Sequence, residues 1–361
     1  MNQSFDIQEM WKNSCLLTRL VAVSLNASES AGTIIKCVMT SGDLKIVDKN
    51  LDGLKKDLQT EADRSAQAAI EMKLISAFGN KLQIVGEEEL PLSYSQKSQD
   101  ELRGFELSES VSEVLLVDKC VQEDLRSLNI EDLTVWVDPL DGTSEFVRAQ
   151  NDPSLLEQVT VLIGITYKGR PIAGVIHQPY YNLLSDPKVG RSIWGIKGVG
   201  AFGINTCKES PPSGPFAVTT ASHSNELVDT ALKALQEKNL IHEFRRVGGA
   251  GFKVLCCFEG AAAYVFASGG CKKWDTAAPE AVLTAAGIIL LFTILYFCSV
   301  TGGTLTDISG FPLLYEKNGQ MQNSHGVLAT APWINHQTFV SAIPQHVKDS
   351  LFQHKDKTRG L

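Results

Sequence analysis

The chain has 361 residues, of which 43% are hydrophobic and 20% charged, and this composition excludes a disordered protein. Its formal net charge of −8 argues against nucleic-acid backbones and anionic membranes as main partners. The length is sufficient for two domains with sizeable cores.

The eight cysteines are scattered along the chain and show neither Cys-x-x-Cys nor Cys/His spacing. We therefore predict no zinc site and no disulfide framework. The N-terminus also lacks a basic segment followed by an apolar core, so no signal peptide is expected. Together these features favour a reducing, cytoplasmic location.

The first predicted element is a helix over residues 8–40, whose apolar residues recur at mixed three-and-four spacing. A second helix is predicted from Thr60 to about Phe78. Thr60 followed by Asp63 is typical of a capping box, which gives Asp63 an ordinary structural role. The apolar strand that starts at Leu82 then runs directly into several acids.

Of these acids, Glu87 is nearest the end of the strand, where α/β proteins place their sites. The alternative interpretation is a solvated charged face, which is the usual role of such a run. Residues 93–132, which are polar and rich in Ser, Glu and Asp, are predicted to form a surface excursion without chemistry.

The most informative stretch follows the buried strand predicted over residues 133–137. Asp138 and Asp141 stand on a strand-to-helix turn, and Gly142-Thr143 opens the helix. Free N–H groups at a helix start favour an anion, whereas two adjacent acids repel unless protons or cations intervene. The turn therefore suggests Mg²⁺-assisted phosphate chemistry, with an Asp-rich turn and an N-cap as the alternative.

Two further strands, over residues 159–167 and 171–176, are predicted to form a hairpin. The prolines within residues 178–187 mark a candidate domain boundary. We therefore predict an N-terminal α+β domain over residues 1–184 and a C-terminal α/β domain over residues 185–361.

The C-terminal part is predicted to begin with a strand over residues 216–220 and a helix from about Glu226 to Lys238. His223, near the start of that helix, could touch an anion, although a surface polar residue is the commoner case. Gly249 and its neighbouring glycines precede a helix that carries Lys253 one turn in. This pattern can hold a phosphate, or it can be a tight turn with a surface lysine.

Asp275 stands at the expected N-cap of a later helix, and a carboxylate there either caps the helix or completes a cation cluster. The following stretch, residues 281–306, carries no charge. Its length qualifies it as a transmembrane candidate, but a buried helix followed directly by a buried strand is favoured.

Taken together, these segments resemble the lithium-sensitive, Mg²⁺-dependent phosphatase superfamily that includes inositol monophosphatase and fructose-1,6-bisphosphatase. The resemblance rests on the order of four motifs: D-x-x-x-x-x-D at 57–63, G-E-E at 86–88, W-V-D-P-L-D-G-T at 136–143 and K-K-W-D-x-x-x-P-E at 272–280. Within the superfamily the chain most resembles the bisphosphate nucleotidases. The implied fold is α/β, a layered α-β-α-β-α sandwich.

The resemblance also implies roles at matching positions. Asp63 and Thr143 resemble the pair that orients and deprotonates the attacking water. The implied ligands of two or three Mg²⁺ ions are Glu87, Asp138, the backbone carbonyl of Leu140, Asp141 and Asp275. The implied contacts to a nucleotide substrate are Thr220, His223, Gly249 and Lys253, and Gly142 belongs to the helix start expected to hold the phosphoryl oxygens.

The implied reaction removes the 3'-phosphate of adenosine 3',5'-bisphosphate to give AMP, with 3'-phosphoadenosine 5'-phosphosulfate as a second substrate and with Li⁺ inhibition. Two alternatives stay open, an inositol polyphosphate 1-phosphatase and an inactive nucleotide- or metal-binding protein. A third alternative is a phosphatase tethered to a membrane by residues 281–306.

Two features depart from the family pattern. Phe252 stands where relatives often have Asn, so the nucleotide contacts around it are less firmly implied. Residues 288–302 are mostly apolar and have no counterpart in relatives. We interpret them as a lineage-specific insertion or a translated intron.

Overall fold

The structure is a computed structural model that describes residues 6–49, 57–90, 109–183, 190–222, 225–287 and 302–353. The helices are α1 (Ile7–Asn13), α2 (Leu16–Ser41), α3 (Glu61–Phe78), α4 (Glu109–Leu116), α5 (Glu123–Arg126), α6 (Thr143–Arg148), α7 (Glu226–Glu237), α8 (Ala250–Phe258), α9 (Trp274–Ala285), α10 (His336–Ala342) and α11 (Gln345–Gln353).

The strands form a two-stranded pair and two larger sheets. The strands are β1 (Val47–Asp48), β2 (Leu58–Gln59), β3 (Gln83–Gly86), β4 (Leu133–Asp141), β5 (Thr160–Tyr167), β6 (Arg170–Gln178), β7 (Arg191–Ile196), β8 (Gly200–Phe202), β9 (Phe216–Thr220), β10 (Glu243–Val247), β11 (Ala263–Phe266), β12 (Thr304–Thr306) and β13 (Val327–Thr330).

The larger sheet has six strands in the order β3-β4-β5-β6-β7-β8. Only the β3–β4 pair is parallel, and the remaining neighbours are antiparallel. Strands β7 and β8 follow the predicted domain boundary at 184/185 and still extend this sheet. The division into two domains therefore stays a prediction.

The second sheet has five strands in the order β10-β9-β11-β13-β12, with β10, β9 and β11 parallel to one another. Helices α8 and α9 lie between the two sheets, and their apolar residues share one core with residues of both. Helices α2 and α3 cover the outer face of the six-stranded sheet. Helices α7, α10 and α11 cover the outer face of the five-stranded sheet. The result is the layered α-β-α-β-α order that the sequence predicts.

Small residues allow α9 to lie close to the six-stranded sheet. A Cβ added at Gly164 of β5 would lie 2.5 Å from Ala277 Cβ, and one added at Gly174 of β6 would lie 2.8 Å from Ala278 Cα. Because α9 begins at Trp274, this contact fixes the position of Asp275 relative to β4 and β5.

The single helix predicted over residues 8–40 is wrong in one respect, because the chain breaks between α1 and α2. The Asp118 carboxylate accepts hydrogen bonds from the backbone N–H of Cys15 and the hydroxyl of Thr18, both at 2.8 Å. A distant acid thus caps the start of α2, which apolar spacing alone does not show.

The predicted surface excursion over residues 93–132 also needs correction where the structure describes it. Val111 and Val114 of α4 are fully buried and belong to the same core as α2. Residues 93–108 lie outside the described residues.

None of the helices in the described ranges is long and apolar enough to cross a membrane. Residues 288–301, most of the apolar insertion predicted over 288–302, lie outside these ranges. The described ranges end at Gly287 and begin again at Gly302. A Cβ added at Gly302 would lie 3.1 Å from the Gly287 nitrogen. The two flanks of the insertion are therefore in contact.

Candidate active site

The site is built around the carboxyl end of β4. The β4–β5 register shifts between Asp138 and Asp141, which marks a β-bulge or similar irregularity there. Strand β3 runs parallel to β4, and the Glu87 N–H donates to the Val137 carbonyl at 3.0 Å. Glu87 therefore follows the end of β3 and lies beside Asp138, which is near the end of β4.

Four of the predicted ligands form one acidic cluster: Glu87, Asp138, Asp141 and Asp275. Burial, with a contribution from neighbouring acids, raises the pKa of Glu87 to about 8 and that of Asp275 to about 7. Burial and then the charge of Glu87 hold the pKa of Asp138 well above its usual range. These acids disfavour one another's ionised forms, and cations or protons would relieve that repulsion.

The cluster is not a preformed metal cage, because within the described ranges no three Asp, Glu, His or Cys side chains already stand in a ligating arrangement. Their oxygens instead accept hydrogen bonds from the protein: Asp138 Oδ1 from the Leu140 N–H at 3.1 Å and Asp275 Oδ2 from the Lys272 N–H at 2.7 Å. The four carboxylates and the Leu140 carbonyl nevertheless form an all-oxygen donor set, which fits a hard cation such as Mg²⁺.

Asp63 forms the predicted cap of α3 and also contacts Thr143 at the edge of the acidic cluster. Its Oδ2 accepts hydrogen bonds from the Thr60 N–H at 2.7 Å and the Thr60 hydroxyl at 2.5 Å, which forms the predicted capping box. Its Oδ1 lies 3.0 Å from the Thr143 hydroxyl, which is also 3.1 Å from the Leu140 carbonyl oxygen. Burial raises the pKa of Asp63 to about 6. The cap thus holds Asp63 in place while the second oxygen faces the site.

Asp141 joins the end of β4 to the start of α8, the helix that lies between the two sheets. Its Oδ1 accepts a hydrogen bond from the Ala250 N–H at 2.7 Å, and its Oδ2 accepts from the Gly251 N–H at 2.8 Å. The Thr160 hydroxyl donates to the same Oδ2 at 2.7 Å. The carboxylate therefore caps the start of α8, where free N–H groups favour a negative charge.

Those predicted nucleotide-side residues that the structure describes lie next to this junction. Gly249 precedes α8 with φ +59, and the Lys253 ammonium donates to its carbonyl at 2.7 Å. Thr220 ends β9, and the following residue, Ala221, donates from its N–H to the Val247 carbonyl at 3.2 Å. Gly142 lies at the start of α6 with φ +96. His223 lies outside the described residues.

Two charged residues near the site were not predicted. The Lys49 ammonium lies 3.2 Å from Glu87 Oε1 and 3.1 Å from Glu88 Oε1, so it partly neutralises the cluster. No local pattern identifies Lys49, which stands in a connection far from these acids in the sequence. Glu145 is 2% exposed although it follows the Asp141 turn on a short helix. The sequence signal that could have identified Glu145 is its position one helical turn beyond Asp141.

Comparisons with known proteins agree with this architecture. The sequence model of the inositol monophosphatase family matches residues 16–348, and the chain belongs to that family. Among curated relatives, the chain is similar to 3'(2'),5'-bisphosphate nucleotidase 1 of Rattus norvegicus, with 44% identity over 339 residues, 93% of this chain and 97% of the relative. The Homo sapiens protein of the same name is 44% identical over 345 residues, 95% of this chain and 99% of the relative.

Solved structures show the same fold. The inositol monophosphatase from Anabaena (Nostoc) sp. PCC 7120 superposes with a TM-score of 0.55 at 18% identity, covering 90% of this chain and 94% of that one. The Thermotoga maritima IMPase gives a TM-score of 0.56 at 18% identity, with 91% and 97% covered. The layered fold predicted from the sequence is confirmed.

Proposed function

We propose that the chain is a Mg²⁺-dependent phosphatase that hydrolyses the 3'-phosphate of adenosine 3',5'-bisphosphate to AMP and phosphate. The observation that carries this proposal is the Thr143 hydroxyl, which lies between Asp63 Oδ1 and the Leu140 carbonyl at the edge of the acidic cluster. The nucleotidase names of relatives at 44% identity favour the nucleotide as substrate. The sulfated relative, 3'-phosphoadenosine 5'-phosphosulfate, is proposed as a second substrate.

Two or three Mg²⁺ ions are proposed as the cofactor, held by Glu87, Asp138, the Leu140 carbonyl, Asp141 and Asp275. When bound, such ions neutralise the phosphoryl oxygens and lower the pKa of a coordinated water. The donor set supports this assignment because its four acids lie together, and the charges of neighbouring acids help to raise the pKa of Glu87, Asp138 and Asp275. Inhibition by Li⁺ is proposed from the family.

Asp63 and Thr143 are proposed to act on the attacking water. The Thr143 hydroxyl has one proton and two nearby acceptors. When it donates to Asp63, its own oxygen can accept a hydrogen bond from water and orient it. The Asp63 carboxylate then receives the water's proton through this hydroxyl as the bond from the water oxygen to phosphorus forms and the bond from phosphorus to the 3'-oxygen breaks. The leaving 3'-oxygen takes a proton from solvent and becomes the 3'-hydroxyl of AMP. Ionised Asp63 is required, and its raised pKa of about 6 places that requirement near neutral pH.

The substrate is proposed to lie between the start of α6 and the start of α8. The first N–H groups of α6, at Gly142 and the residues after it, would hold the oxygens of the reacting phosphate. Thr220, His223, Gly249 and Lys253 would contact the nucleotide. This arrangement is supported by the proximity of Gly249 and Lys253 to Asp141.

The proposed substrate is a small molecule, no nucleic-acid polymer or membrane partner is proposed, and the proposed location is the cytoplasm. The test is phosphate release by the purified full-length chain, with Mg²⁺, from adenosine 3',5'-bisphosphate and inositol 1,4-bisphosphate side by side. Strong preference for the nucleotide supports the proposal. Preference for the inositol compound would favour the polyphosphate 1-phosphatase alternative, and nucleotide binding without turnover would favour the inactive binding protein.

A further inference from the structure

Lys253 carries a buried ammonium whose hydrogen-bond partner among the described residues is a backbone carbonyl and not a carboxylate. Its side chain is on α8, and the residue is 5% exposed. Its ammonium donates to the Gly249 carbonyl at 2.7 Å and lies 5.2 Å from the ring centroid of Tyr264. Burying an ammonium is costly unless opposite charges surround it, and one carbonyl supplies only part of what it needs.

Burial lowers the pKa of Lys253, and three carboxylates on three different elements oppose that shift: Asp141 at the end of β4, Glu145 on α6 and Asp275 on α9. The Cys271 thiol and the Tyr264 phenol are the other titratable groups beside it. Two of the carboxylates, Asp141 and Asp275, are proposed metal ligands. Their charge would be matched by Mg²⁺, so Glu145 would be the carboxylate left to compensate Lys253 among these three.

Glu145 is placed for that role. Its side chain is 3% exposed, and a Cβ added at Gly248 would overlap its carboxyl group, so the turn before α8 lies directly on it. Its Oε1 is buried and accepts no hydrogen bond from the described residues. The nearest cationic atom to that oxygen is Arg148 Nη1, at 3.9 Å on a side chain that is 59% exposed.

We propose that Glu145 is a positioning residue whose carboxylate is the counter-charge that holds the Lys253 ammonium in place at the Gly248–Gly249 turn. Lys253 is thereby kept ready to bind a phosphate group of an anionic substrate, and this step rests on the proposed function. We expect this anion to be the phosphate that does not react, because the reacting phosphate is proposed to lie at the start of α6 whereas Lys253 is on α8.

Glu145→Gln tests this inference because it preserves shape and removes the charge. A contact to a non-reacting phosphate stabilises substrate and transition state alike, so its loss raises KM and leaves kcat nearly unchanged. We expect KM to rise about tenfold and kcat to change by less than about threefold. Glu145→Asp, which retains the charge, is expected to recover most of the affinity. Arg148→Gln is the matched control and should leave KM within about twofold.

A double-mutant cycle with Lys253→Gln separates this role from a merely structural one. The Glu145→Gln/Lys253→Gln variant should bind the substrate no more weakly than Lys253→Gln alone, because the Lys253 ammonium that Glu145 would compensate is absent from both variants. The affinity for AMP, measured by calorimetry with Mg²⁺, should follow the same pattern as KM. Additive effects in the cycle, or an unchanged KM in Glu145→Gln, would overturn the inference.

Failure of the two proposals can be told apart. If the wild-type chain released no phosphate from adenosine 3',5'-bisphosphate, the proposed function would be rejected, but the role of Glu145 would not. The role of Glu145 would then be decided by the affinity of the same variants for inorganic phosphate. The non-additive pattern would support the inference, and equal affinities would overturn it.

Discussion

The backbone N–H of Gly251 donates to Asp141 Oδ2 at 2.8 Å, across 110 positions of sequence. One carboxylate therefore ends β4, caps α8 and belongs to the acidic cluster. The geometry of the proposed metal site depends on this contact between the layers, and it depends on the absence of a side chain at Gly251.

Gly251→Ala should reduce activity strongly with a smaller effect on stability. Its Cβ would lie 2.5 Å from Thr160 Oγ1 and 3.2 Å from Asp141 Oδ2, which forces the carboxylate or the helix to move. We expect kcat to fall at least about tenfold and the free energy of unfolding to fall by about 1–3 kcal/mol. Phosphate release and thermal denaturation measure the two effects.

Gly269→Ala is the stability control, because the nearest atom to its added Cβ is 3.4 Å away. Full activity in Gly251→Ala would contradict the role given to the Asp141 contact.

The stability of the metal-free protein should fall as pH rises from 6.5 to 8.5. The folded-state pKa values of Asp275, about 7, and Glu87, about 8, lie above those of exposed acids. The folded state therefore binds more protons than the unfolded state in this window, and that advantage is lost as the groups ionise. We expect Tm in EDTA to fall by about 2 °C or more between these pH values.

Added Mg²⁺ should remove most of this decline, since it compensates the ionised acids. The window starts at pH 6.5 because the lowered pKa values of buried His177, about 3, and half-buried His336, about 4, cause the opposite trend at lower pH. Glu280, with a pKa of about 7, lies outside the cluster, and Glu280→Gln separates its contribution. A Tm that stays constant or rises with pH in EDTA, for the wild type and for this variant, would refute the explanation.

The hydroxyl of Thr143 should be required for activity, whereas its methyl group should not. Thr143→Ser keeps the donor to Asp63 and should retain kcat within about tenfold, whereas Thr143→Val should lose about a hundredfold or more. The comparison needs kcat at saturating substrate and the Mg²⁺ concentration for half-maximal activity. Equal kcat values for the two variants would remove Thr143 from the proposed water-orienting pair.

Removal of residues 288–301 should be tolerated. Gly287 and Gly302 are in contact, so the chain can be closed there without moving α9 or β12. We expect a deletion variant with Tm within about 5 °C of the full-length chain and activity within about threefold. Loss of folding on deletion would show that the segment is integral. Absence of the segment from transcripts would support a translated intron, and peptides that span it would eliminate that interpretation.

Much of this architecture could be predicted from local patterns. The buried strand that ends in Asp138 and the cap formed by Thr60 and Asp63 depend on residues adjacent in sequence, and so does the turn before α8. The fold class followed from the order of these segments together with the family resemblance.

What could not be predicted depends on pairs far apart in sequence. The break before α2 needs Asp118, the shielding of Glu87 needs Lys49, and the cap of α8 needs Asp141. No periodicity records which distant side chain satisfies a given N–H or charge, because that is decided when the layers pack. Asp63 illustrates both cases, since its cap is local and its contact to Thr143 is not.

The most direct test of the central claim is phosphate release from adenosine 3',5'-bisphosphate by the wild-type chain and by Asp63→Asn, each with Mg²⁺ and with EDTA. The wild type should be active only with Mg²⁺. Asp63→Asn should lose about a hundredfold or more in kcat, because an amide cannot accept the water's proton. Activity that survives in EDTA, or in Asp63→Asn at the wild-type rate, would contradict the account.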